Sequence, residues 1–517
     1  MRRLIASALL LVIAAAAAAG TKMIRGSRPT PTPSAQEHFG LGARPNATPQ
    51  APQLPSGERR PRTVACGPGR DVVNADAQDR VGHACEVVSV RVSHDTLAGP
   101  EAQHQTEVEP DSAAWGSTIV ATFQVGRLTG GGAFATGFAT SRDAGATWRS
   151  GILPALSTHS RPAGPYEIVS DPSVAYDAEH AVWLVSSLVA PEHGAAIAIS
   201  RSTDGITWNP PIIAAPAGGD YDKEWVTCDN GRRSPFRGRC YLAYVNFTSG
   251  ALEVRRSTDG GKTWSGAAFS VQRLPAASSL NGAQPVVRPD GSLLVLYTEF
   301  NGFLVGANNV GVARSTNGGV SFGDPVAITP LLSQGLDGVR APPFVSAAVD
   351  GSGVVYAAWA DCRFEEDCGT NGIAYARSRN GVTWSPPARV ATGDTRLSVD
   401  HFVPGLDVSG SGPKTRIAVA YYSRPQPIGC GYTCSVRVDV WLSESRNAGA
   451  TWLRPQRLNT VTMRGGWIAD SDIGKFIGDY ISTSYVRGKP MPVFALATRP
   501  FGGRLRQAIY VGTRIVR

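Results

Sequence analysis

One short pattern recurs six times along the chain and limits what it can fold into. The clearest copies are Ser141–Trp148, Ser202–Trp208 and Ser257–Trp264, and weaker ones are Ser315–Phe322, Ser378–Trp384 and Ser445–Trp452. Their closing aromatics lie 60, 56, 58, 62 and 68 residues apart. A near-fixed period of that size means repeated supersecondary units that bury their faces against one another. Within each copy the chemistry is that of a hairpin turn. Asp or Asn bonds its own following backbone, Gly supplies a positive φ, and Thr with the aromatic resumes the strand. These residues therefore read as scaffold, the indole sealing one unit against the next.

Between the copies each unit supplies a strongly apolar strand: Thr118–Gln124, Ala181–Leu188, Cys240–Phe247, Ser292–Phe300, Val354–Ala360, Arg416–Tyr422 and Pro492–Thr498. The last unit ends in Gln507–Val516 without a copy of the pattern. Glu86–Val92 forms a further strand that can pair with it and remove the open edges of a ring. With 58 glycines, 37 prolines and no long helical periodicity, the chain reads as all-β. The expected fold is a β-propeller of seven blades, with six the alternative count.

The 50 basic residues exceed the 41 acidic ones, but no basic run and no aromatic-basic module supports a nucleic-acid partner. Residues 1–20 read as an export signal, with Arg2 and Arg3 before an apolar core and small residues at Ala17–Gly20; an uncleaved anchor is the alternative. Residues 21–62 are proline-rich and almost without large apolar side chains, so they read as a disordered linker, leaving 63–517 as the propeller. No other segment is long and apolar enough to span a membrane as a helix. The eight cysteines fall into close neighbours, Cys66 with Cys85, Cys228 with Cys240, Cys362 with Cys368, and Cys430 with Cys434. Disulfides in an oxidising compartment fit this spacing better than zinc, for which no Cys-x-x-Cys pair exists. A secreted or envelope-associated monomer is expected.

The six copies resemble the Asp-box (BNR) repeats of sialidase-like propellers. Thr106–Pro110, Ser170–Val174, Asp222–Trp225 and Phe476–Tyr480 are similar to segments of a secreted bacterial group within that family. The resemblance implies ligands at one mouth of the central channel. It also implies a sialidase-like exo-glycosidase acting on extracellular or surface glycans. Asp-box propellers include non-catalytic receptors as well, so a propeller that binds glycans or proteins is the rival.

The positions that precede each apolar strand gather Glu107, Glu109, Asp111, Glu167, Asp171, Asp222, Lys223, Glu224, Arg340, Asp400, His401, Asp479 and Tyr480. By the resemblance, Tyr480 would be the nucleophilic phenol, Glu224 its partner and Asp171 the acid/base. Glu109, Asp222, Arg340 and Asp479 would bind substrate. A sialidase grips a carboxylate with arginines, one of them in a first-blade Phe-Arg-Ile-Pro-like motif. Here the counterpart is Glu107-Val108-Glu109-Pro110, acid in place of cation, which favours a neutral sugar or a cation bridging to an acidic ligand. No cofactor is expected; the alternating acids of Asp220–Glu224 leave a structural calcium open. The arginines between Cys228 and Cys240 read as a solvated loop, with an anionic polymer the alternative.

Overall fold

The computed structural model describes residues 63–64, 71–76, 80–81, 85–191, 194–271, 278–301, 307–393, 398–426 and 436–516. The expected signal and linker, Cys66, and the Cys430–Cys434 pair lie outside them. Among the described residues the fold is all-β, with no α-helix and three short 3₁₀ turns. Strands follow one another as antiparallel meanders, because each apolar strand is bracketed by Gly- and Asp-rich turns that cannot continue it.

Glu107–Trp115, Thr118–Arg127, Ala133–Ser141 and Arg149–Ile152 make the first meander, and Val169–Asp177 through Ile212–Gly219 the second. Four more follow, beginning at Tyr221–Cys228, Ser278–Val287, Ser346–Val349 and Val399–Ser409. In the last sheet Ser482–Val486, Lys489–Phe501 and Arg504–Val516 are completed by Cys85–Arg91, which pairs antiparallel to Arg504–Val516. The N-terminal strand thus pairs with the final unit as anticipated, and Asp71–Asp76 pairs parallel to its outer side. First strands touch in chain order, and Ser482–Val486 touches Glu107–Trp115, so the contacts run in a circle.

Apolar clusters fill the space between successive meanders. Leu184 and Ile197 pack with Leu242 and Tyr244, and Tyr241 and Leu252 pack with Leu293 and Val295. At the junction of last and first, Val493 and Ile509 pack with Ile119 and Phe123. The repeated turns behave as hairpin locks. In the first, Ser141 Oγ donates to Asp143, and the amides of Gly145 and Thr147 donate to Ser141 Oγ and Asp143 Oδ1. Trp208 is buried against Phe138 of the preceding meander, ring centroids 5.8 Å apart. An arginine directly before the box serine adds a tie that sequence reasoning missed. Arg201 Nε donates to the Gly260 carbonyl (2.7 Å) and Arg256 Nη1 to that of Gly319 (2.9 Å), each reaching the next unit's turn. Cys228–Cys240 and Cys362–Cys368 are disulfides, as their spacing suggested.

Candidate functional site

Five first strands share one irregularity. Each sets two residues opposite one of its neighbour, a one-residue slip of register, at Val108/Asp111, Ser170/Ser173, Asp222/Trp225, Asn281/Gln284 and Phe402/Gly405. The first inserted residue is left-handed every time: Glu109 (φ 52°), Asp171 (45°), Lys223 (48°), Gly282 (73°) and Val403 (52°). Non-glycine residues reach this region at a cost, and a valine rarely does. The bulge lifts the inserted side chain out of the alternation of the strand, and three of the five side chains are charged and buried.

They meet. Lys223 Nζ donates to Glu109 Oε1 and Asp171 Oδ1, both at 2.9 Å, and lies 3.1 Å from Asp479 Oδ2. Arg340 grips Asp479 in a two-point pair, Nε to Oδ1 at 3.0 Å and Nη2 to Oδ2 at 2.5 Å. Gln124 Nε2 and the Asp479 amide donate to Glu109, and Asn281 Nδ2 donates to Asp222 at 2.8 Å. One lysine thus ties carboxylates from three meanders, with an arginine from a fourth behind them. Phe476 carries the Arg340 guanidinium at 4.8 Å and that of buried Arg127 at 4.5 Å from its ring centroid.

Burial and neighbours divide the titrations. Burial pushes Asp171 up, but Lys223 and its hydrogen bonds outweigh this and hold it at about 2. Asp479 lies below the usual carboxylate range because Arg340 and Lys223 overcome its burial. Burial wins for Glu109 and Asp222, both raised to about 7. Glu224 is driven well above its ordinary value by burial and then by Asp171. Neither of its carboxyl oxygens has a hydrogen-bond partner, and it is 1% exposed. Its place in the bulge is held elsewhere by Pro110, Pro172, Ala283 and Pro404, so an acid there departs from the chain's own repeat.

The expected residues therefore assemble only in part. Glu109, Asp171 and Asp479 converge on Lys223 and Arg340 pairs with Asp479, while Asp222 is tied to Asn281. Tyr480 is buried, its phenol is driven well above its ordinary value by burial, and its hydroxyl donates to the Pro172 carbonyl at 3.1 Å. The Tyr480–Glu224 pairing is not a hydrogen bond here. Asp111 accepts from the Val174 amide, Glu107 from Ser93, and Asp400 from the Asn371 amide, each capping its own surroundings. Within the Asp220–Glu224 segment the side chains diverge: Asp222 accepts from Asn281, Lys223 reaches Glu109, Asp171 and Asp479, and Glu224 has no hydrogen-bond partner. Sequence reasoning missed Arg127, Phe476, Trp225 and Phe344. The spaced pairs Glu109-Pro110, Asp171-Pro172 and Val403-Pro404 were the available signal for the bulges.

Beside this cluster lies a shallow depression whose lining includes Lys223, Trp225, Phe344, Tyr480, Gln284 and Asp479. Its cavity volume is only about 20 Å³, room for roughly one water. Trp225 meets Tyr480 edge-on with centroids 5.0 Å apart, and Lys223 Nζ sits 5.3 Å from the Tyr480 ring centre.

No protein-family model matches the sequence, and no curated protein matches it. Among solved structures the chain is similar to an ulvan lyase of a new polysaccharide lyase family (11% identity, 83% of this chain and 96% of that one, TM-score 0.48). It is also similar to the intramolecular trans-sialidase of Ruminococcus gnavus (14%, 64% and 92%, TM-score 0.42). A third is an α-L-arabinofuranosidase of Fusarium graminearum (13%, 71% and 98%, TM-score 0.42). Likeness at this level fixes neither activity nor substrate.

Proposed function

We propose that this chain is an exported, seven-bladed Asp-box β-propeller that recognises extracellular or surface glycans at the shallow mouth beside Trp225, and binds a neutral sugar without cleaving it. One observation carries the reading: Lys223 is saturated by Glu109, Asp171 and Asp479. Glu109, Asp171 and Asp479, acids that could attack or protonate a glycosidic bond, are committed to that lysine. A general acid must come within about 3 Å of the atom it protonates. The mouth itself offers aromatic faces and a few uncharged polar groups, with the mutually paired Lys223 and Asp479 as its charged members, the composition of a small-ligand site. A sialic acid carboxylate finds no free arginine in it, since Arg340 is paired with Asp479. The circular contacts and the strand supplied by Cys85–Arg91 support the seven-blade count.

The test is a glycan array probed with residues 63–517. Binding should be competed by a neutral monosaccharide, and Trp225→Ala should weaken it at least tenfold while leaving the melting temperature within about 2 °C. Undiminished binding in that variant would remove the mouth from the account.

An exo-glycosidase is the second reading, favoured by the opposed titrations of Glu224 and Asp171. A neutral acid beside an ionised one is the pairing that acid/base catalysis uses.

A further inference from the structure

The box turns all lie at one end of the sheets, opposite the mouth, and their charge is uneven. In the first three the turn acid is Asp143, Asp204 and Asp259; in the next three it is Asn317, Asn380 and Asn447. The fold does not require that change. Asp204 Oδ1 accepts from the amides of Ile206 and Thr207, and Asn380 Oδ1 accepts from those of Val382 and Thr383, so either residue closes the turn. Losing the charge matters only at the surface.

That surface is basic. From the fifth meander round to the first, the turns at this end expose Arg379, Lys414, Arg446, Arg487, Lys489 and Arg142. None of the six is ion-paired with a described residue. Among the described residues the acids of the arc are Asp143 in its box, half-buried Glu444 and Asp407, and buried Asp350; Asp350 accepts from Thr415 and Asp407 from the Tyr485 amide. Arg487 holds φ 48° at the first position of the Val486–Lys489 hairpin, before Gly488 at 75°. Asn or Gly is the ordinary choice there, so the strained arginine follows no local folding need. Arginines in the second to fourth meanders are instead partly neutralised, Arg237 by Glu179 and Arg288 by Asp290. Apolar side chains stand among the basic tips: Val382 is 44% exposed and Leu453 42%, with Val320 of the neighbouring box at 54%. The chain also enters from this side. Cys85–Arg91 runs antiparallel to Arg504–Val516, whose first residue lies at the mouth end, so residue 85 lies at the box end.

We propose that this arc docks on a bilayer surface rich in anionic phospholipid, the basic tips meeting headgroups and Val382 and Leu453 entering the interface. Juxtaposed basic and shallow apolar tips fit a planar, charged, amphipathic partner better than a thread-like polyanion, which is gripped in a groove. The site is separate from the mouth, so the proposal stands whether or not a glycan binds there.

Residues 63–517 retain every described strand and can be tested without the apolar leader. Co-sedimentation is measured with vesicles of phosphatidylcholine alone and with 30% phosphatidylglycerol. Binding is expected only to the anionic vesicles and should fall steeply by about 0.5 M salt. The triple variant Arg379→Glu, Arg446→Glu, Arg487→Glu should lose at least tenfold in affinity. Arg232→Glu with Arg233→Glu, on the other half of the same face, should retain it. These are exposed positions, and thermal melting confirms that each variant is folded. No binding to anionic vesicles overturns the proposal, as does equal loss in both variants. Capture by dextran sulfate without vesicle binding would make the partner a polyanionic polymer instead.

Discussion

Lys223→Met should lower the free energy of unfolding by about 3–5 kcal/mol, the usual consequence of removing one partner from a buried ionic cluster. The ammonium is shared by Glu109, Asp171 and Asp479 from three meanders. Methionine keeps the length of the side chain but leaves those carboxylates without their central cation, and only Arg340 remains to face them. The loss should be larger at pH 8 than at pH 5. Glu109 and Asp222, raised to about 7, are protonated at the lower pH and then repel Asp171 and Asp479 less. Urea unfolding of the wild type and variant at both pH values measures this directly. A change below about 1 kcal/mol, or the same change at both pH values, would mean that the lysine does not hold the inner strands together.

The wild-type protein should itself be most stable near pH 4–5 and melt several degrees lower at pH 8. Burial raises Glu107 to about 8, Glu109, Asp111 and Asp222 to about 7, and Asp407 to about 6. Each holds a proton in the folded state at pH values where the unfolded chain has released it. Their contribution is therefore complete below an ordinary carboxylate value and lost as pH rises through 6–8. Asp171, Asp204 and Asp259, held at about 2, act in the opposite sense and cost stability only as pH falls below about 4. Calorimetric melting at pH 5, 6.5 and 8 checks the direction. A melting temperature that rises across this interval would show that these buried acids are ionised throughout.

Much of the architecture was legible because it is local. A box needs only an Asx oxygen, a glycine and an aromatic within eight residues, and an apolar strand needs only a run of Val, Leu and Ala. Repetition then exposed the period and the unpaired final unit, and with it the partner for Glu86–Val92. The candidate site was legible as a set of residues but not as a geometry. Glu109, Asp171 and Lys223 meet because a one-residue bulge turns each of them to positive φ, and a bulge depends on how two strands pair. Their proximity comes from ring closure among residues up to 370 positions apart, such as Glu109 and Asp479. Sequence reasoning counted Lys223 as one basic group among many. It is the group that engages Glu109, Asp171 and Asp479 together. Tyr480 looked like a nucleophile by the family resemblance, whereas its hydroxyl is held by the backbone at Pro172. Nor does any sequence pattern mark Glu224 as the unpartnered member of the set. Only comparison with Pro110, Pro172 and Pro404 at the same bulge position sets it apart.

Binding without cleavage is the central claim, and release of fluorophore from a panel of aryl glycosides, sialoside included, tests it most directly. Purified residues 63–517 would be assayed beside Glu224→Gln and Tyr480→Phe. The account predicts no turnover above the uncatalysed rate with any member of the panel. Turnover that disappears in Glu224→Gln would contradict it and make the buried acid a catalyst.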